Sequence, residues 1–88
     1  GNQLQIKLPE ESKINAIVLS EDIRHGERVR SYKVEGKVKG KWVTLSMGSC
    51  IGHKKIDEIA PIEVSALRLK IDESLDRPVI LDFSVHTY

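Results

Sequence analysis

The chemically distinctive residues of this 88-residue sequence are three histidines, one cysteine, one tryptophan and a charged run from Glu21 to Arg28. Ser49-Cys50-Ile51-Gly52-His53 sets a thiol three residues from an imidazole, but it matches no nucleophile signature of a Cys/His enzyme. Glycoside hydrolysis needs two carboxyl groups about 5–5.5 Å apart for retention, or about 6.5–9.5 Å for inversion, on either side of a cleft. Glu21 and Asp22 are adjacent, and in an extended chain they project to opposite faces. His25, His53 and His86 lack the spacing of metal ligands. No catalytic residue, metal site or cofactor is therefore expected, and the chain alone should be catalytically inert.

Binding is a different matter. Asp22, Arg24, His25 and Arg28, with Asp76 and Arg77 from a later loop, belong to the most polar constellation, which also holds Glu21, Glu27, Asp72 and Glu73. Carboxylates accept and guanidinium groups donate the directional hydrogen bonds that sugar hydroxyls require, so these six residues are the candidate carbohydrate contacts. The competing reading pairs Arg24 and Arg28 with Glu21 and Asp22 inside the loop, fixing a chain reversal. Trp42 could stack on a sugar, but its place after Gly40 at the start of a strand favours packing. Arg68, between Leu67 and Leu69, projects to the face opposite theirs and could anchor an ion pair with an acidic loop residue.

These residues need elements to position them. Apolar runs of strand length recur at 4–8, 14–19, 29–38, 43–47, 51–56, 67–71 and 79–85, and none keeps a helical period beyond two turns. Pro9, Gly26, Gly40, Gly48, Pro61 and Pro78 separate them, with Gly40 suited to the positive φ of a hairpin turn. The pattern predicts an all-β, antiparallel β-sandwich occupying residues 1–88 as one domain. Tyr32, Val34, Leu45, Leu67, Leu69, Leu81 and Phe83 are its expected core. Strict alternation would gather loops 21–28, 48–50 and 72–78 at one end and 9–13, 39–41 and 57–62 at the other. No run of 18 apolar residues and no signal-peptide pattern is present, so no membrane partner is expected.

The net charge is +1, but basic residues concentrate in 24–56 and acidic ones in 57–88. Lys33, Glu35, Lys37, Lys39 and Lys41 alternate with Tyr32, Val34, Gly36 and Val38, which reads as a strand with one wet face. With aromatics at 5% and Tyr32 on the apolar side, no nucleic-acid partner is expected.

The motifs Glu21-Asp22-Ile23 with Gly26 and Arg28-Val29, then Tyr32, Val34, Gly40 and Trp42, then Ile51-Gly52, then Leu67-Arg68-Leu69 occur in one order. From Leu4 to about Val85 the chain resembles the C-terminal discoidin-like, galactose-binding-domain-like β-sandwich of bacterial α-L-fucosidases. The resemblance implies a jelly-roll-like fold lacking the first strands of the complete domain, where a structural calcium site is often held. It implies a parent glycoside hydrolase whose catalytic residues lie on a preceding (β/α) barrel. The barrel is then the partner, glycan a second ligand, and the location extracytoplasmic, periplasmic or secreted. A stand-alone carbohydrate-binding module or lectin-like domain is the alternative.

Overall fold

The computed structural model describes residues 2–24, 26, 28–75 and 77–87, which form five β-strands and no helix. These are β1 (Asn2–Glu21), β2 (Val29–Val38), β3 (Lys41–Gly48), β4 (Lys55–Ser74) and β5 (Ile80–His86). They make one antiparallel sheet of order β3-β2-β4-β1-β5. At 20 residues each, β1 and β4 are several times the usual strand length of about 5–6 residues. The start of β1 pairs with the end of β4, whose other edge carries β2 and then β3. The end of β1 pairs with the start of β4, and its other edge carries β5.

Between these halves the β1–β4 register slips twice, leaving 8–11 opposite Ser65 and 59–61 opposite Asn15. Extra residues in one strand bend it and increase its twist, so one sheet folds into two facing layers. The smallest dimension, 20 Å, suits two sheets about 10 Å apart with their side chains. Ile17 and Leu19 from one layer meet Val34, Leu67 and Leu69 from the other, all fully buried.

Two expectations change. Residues 9–13 and 57–62 are not turns but lie inside β1 and β4, merging the seven apolar runs into five strands. Pro9 and Pro61 fall within the register slips, where the ladder is already broken and a missing N–H costs little. Of the expected core, Tyr32, Val34, Leu67 and Leu69 are buried, and Leu45 and Phe83 pack against them. Leu81 is 64% exposed instead. Ser20 pairs with Asp82 and Glu21 with Ile80, so Leu81 is skipped by the ladder and Ile80 packs against the core in its place.

The β2–β3 hairpin closes at Val38 and Lys41, with Lys39 at φ 50° and Gly40 at φ 82°. Positive φ at both central residues is the two-residue turn whose twist matches paired strands. Gly36 has a different task. A Cβ there would lie 2.7 Å from Leu45 Cδ1 and 2.8 Å from Val64 Cγ1, inside the interface between layers. Gly36→Ala is expected to destabilise the fold by about 1–3 kcal/mol through overpacking, read as a lower urea midpoint at unchanged m-value.

Candidate functional site

The end of β1 delivers Glu21 into the interior, where it is 1% exposed. Its Oε2 accepts the backbone N–H groups of Arg28 and Val29, each at 2.9 Å, and its Oε1 accepts that of Gly52 at 3.3 Å. The Glu21 N–H in turn donates to the Gly52 carbonyl at 2.9 Å. One carboxylate thus ties the β1–β2 loop to the β3–β4 loop. The β4–β5 loop joins them, with the Leu75 N–H donating to the Arg28 carbonyl and the Asp22 N–H to the Val79 carbonyl, both at 2.8 Å. The three loops share one end of the sandwich because β4 folds back at its register slip, bringing Lys55 and Ser74 to the same end.

The polar side chains at that end are largely spent on one another. Asp22 accepts from the Arg24 backbone N–H and Nε at 3.0 Å and from its Nη2 at 2.7 Å. Arg28 Nη1 donates to the Arg77 carbonyl at 2.8 Å, not to Glu21, whose oxygens are taken by backbone. Of the six candidate carbohydrate contacts, Asp22 and Arg24 form one pair and Arg28 joins the Arg77 backbone. His25 and Asp76 lie outside the described residues. A recess of about 300 Å³ beside this pair is lined by Ile23, His53 and Leu81, and Ile23 and Leu81 are exposed. The surface left over for contact is thus more apolar than the sequence suggests.

Deeper in the same interface, the Tyr32 hydroxyl donates to Asp57 Oδ2 at 2.8 Å, joining β2 to the facing half of β4. Lys55 Nζ lies 5.1 Å from the Tyr32 ring centroid and 3.9 Å from Asp57. Burial first, then the hydrogen bond to Asp57, hold the Tyr32 hydroxyl above the ordinary phenol range. These groups are structural cross-links. Among the described residues, no three His, Cys, Asp or Glu side chains gather as metal ligands.

The outer face of the other layer carries a group that sequence reasoning misplaced. Trp42 is not in the core; it stands opposite Lys37, partly exposed on the lysine-bearing face of the sheet. Arg68 Nε donates to Glu35 Oε1 at 2.6 Å, and its guanidinium carbon lies 4.1 Å from the indole centroid. Lys37 Nζ is 5.9 Å from the same ring and Lys70 Nζ is 3.9 Å from Glu35. Arg68 therefore pairs with the neighbouring strand, not with a loop. The signal was present: a two-residue turn at 39–40 pairs 37 with 42, which fixes Trp42 on the face of the odd-numbered lysines.

No protein-family model matches the chain. It is 33% identical over 85 residues to a protein of Oryza sativa subsp. japonica named alpha-L-fucosidase 1, covering 97% of this chain and 16% of that protein. A solved structure named as an alpha-L-fucosidase, from Bacteroides thetaiotaomicron, superposes with a TM-score of 0.95 at 42% identity over 98% of this chain. Both of these relatives are named as alpha-L-fucosidases. A Ruminococcus gnavus GH29 fucosidase solved with fucose superposes at TM-score 0.87 and 26% identity over 97% of the chain. The chain spans only 20% and 17% of those two solved proteins, so it corresponds to a small part of each.

Two outcomes follow from the geometry. Glu21→Gln would turn an N–H₂ donor toward at least one backbone N–H, and is expected to cost about 1–3 kcal/mol in urea unfolding. The hydrogen bond from Arg68, aided by the charges of Arg68, Lys70 and Lys33, outweighs desolvation and lowers the Glu35 pKa. A lowered folded-state pKa gives stability that is complete above the unfolded pKa and is lost as pH falls through the folded one. Glu35→Gln should therefore flatten the acid limb of a stability–pH curve and leave its neutral slope unchanged.

Proposed function

We propose that this chain is a noncatalytic accessory domain of an α-L-fucosidase-like glycoside hydrolase, packing against the catalytic barrel of the same parent chain. The observation that carries the reading is correspondence of nearly the whole chain to between a seventh and a fifth of fucosidase-named proteins. The loop end supports it as the docking surface. Ile23, Leu75, Val79 and Leu81 are exposed there, while Asp22 and Arg24 neutralise each other. Exposed apolar side chains grouped at one end, with Ile23 and Leu81 lining one recess, are the kind of surface that a partner domain covers. The discoidin-like assignment is the finer form of the proposal, resting on the order of motifs from Glu21 to Leu69.

A second reading, glycan bound at the loop end, is favoured by the recess beside Asp22, Arg24 and His53. Its contacts would be Asp22, Arg24, His25, Arg28, Asp76 and Arg77, and its affinity weak, since exposed side chains must be ordered and no aromatic platform lines the recess. In an amide-shift titration with a neutral sugar, perturbation at Asp22 and Arg24 supports that reading, and silence at millimolar sugar removes it.

The accessory role is tested by the reading frame that encodes these residues. Several hundred preceding residues with barrel periodicity support it, and their absence favours a free-standing lectin-like module. The 88-residue chain is expected to hydrolyse nitrophenyl fucoside no faster than buffer. Turnover abolished by a change at Glu21 or Asp22 would overturn the noncatalytic assignment.

A further inference from the structure

We propose that the outer face of the β3-β2-β4 layer is a binding surface for an acidic polysaccharide, a chain of sugars bearing carboxylate or sulfate groups. The choice of a saccharide among anionic polymers rests on the glycosidase reading above; the surface itself rests on its geometry.

Three observations converge there. The first is charge. Lys33, Lys37, Arg68 and Lys70 occupy one face; of its two carboxylates, Glu35 is already engaged by Arg68 at 2.6 Å and Lys70 at 3.9 Å, and Asp72 stands two residues past Lys70 and lines a recess with Lys33, so the cations remain in excess. The field that remains is positive. The second is a fixed anion fork. Arg68 is held by Glu35 through Nε and stacked on Trp42 at 4.1 Å. Among the described residues, its hydrogen bond to Glu35 runs through Nε and none engages its Nη groups, which leaves the pair that receives a carboxylate or sulfate in bidentate fashion. Little side-chain entropy remains to be lost on binding, which favours affinity.

The third is an apolar surface within reach of the fork. Trp42 is the only tryptophan and is partly exposed beside Lys37. A sugar's C–H face can lie against the uncovered part of the indole while its acidic group meets Arg68. Lys33 and Lys37 are four residues apart along β2, about 14 Å at ~3.4 Å per residue. That separation spans more than one sugar, so a chain of acidic residues engages both lysines where a monosaccharide cannot. Single-stranded nucleic acid would call for several exposed rings on which successive bases stack, and this face offers one.

The test uses the 88-residue chain with four probes: polygalacturonate, a sulfated galactan, neutral dextran, and duplex DNA as a polyanion without sugar acids. Binding to one or both acidic polysaccharides is expected at 20 mM salt, at least tenfold weaker at 200 mM, with none to dextran. Amide shifts should centre on Lys33, Lys37, Trp42 and Lys70. Which acidic polymer binds distinguishes carboxylate from sulfate as the recognised group. Trp42→Ala and Arg68→Lys should each weaken binding more than tenfold, and Lys37→Gln, near the hairpin end of the face, about threefold with an unchanged unfolding midpoint. Lack of binding to either acidic polysaccharide, shifts centred on 22–24 and 79–81, or indifference to both Trp42→Ala and Lys37→Gln overturns the surface. Binding to DNA as tight as to the acidic polysaccharides overturns the saccharide assignment. Each of these results is independent of the reading frame's length, so the surface can fail while the fucosidase reading stands, and the reverse.

Discussion

Strands β1 and β4 run through both layers of the molecule, so every other contact depends on where they bend. Each is apolar toward the interior in both of its halves, and a flat sheet would leave one of those faces in water. The slips at 8–11 and 59–61 fold the pair over on itself, so that Ile17 and Leu19 cover Leu67 and Leu69. β2 and β3 then extend one layer, and β5 extends the other. With no helix among the described residues, the two halves of a single sheet supply each other's cover.

Closing a sheet on itself this way creates an end where three loops converge, and a buried carboxylate secures it. Backbone N–H groups at loop termini must find acceptors when they are removed from water. Glu21 satisfies three of them, which cross-links two of the loops and leaves its carboxylate engaged by backbone. The neighbouring Asp22–Arg24 pair closes further polar valences. Around it Ile23, Leu75, Val79 and Leu81 are left exposed. The opposite outcome holds on the β3-β2-β4 face, where charges of one sign outnumber their partners and an arginine is pinned against an indole.

Strand alternation, the Gly40 turn, the all-β class and four of the seven core residues were legible in the sequence, because side-chain period and turn chemistry are local properties. So was the lysine face of β2, whose alternation with Tyr32, Val34 and Gly36 fixes both sides of a strand at once. Prolines misled. Pro9 and Pro61 mark breaks in a hydrogen-bond ladder, but a break can be a turn or a bend within one strand, and only the pairing partner distinguishes them.

By itself the sequence determined the strand period and the hairpin at Lys39 and Gly40, both of which follow from residues near one another along the chain. Tertiary structure alone decided that Leu81 faces solvent, because a one-residue slip against Ser20 and Glu21 shifts its side of the sheet. It alone decided that Glu21 serves backbone groups seven, eight and 31 residues away. It also decided that Arg68 spans Glu35 to reach Trp42. Those outcomes depend on which strands become neighbours, and the order β3-β2-β4-β1-β5 is fixed by long-range burial that no local pattern encodes.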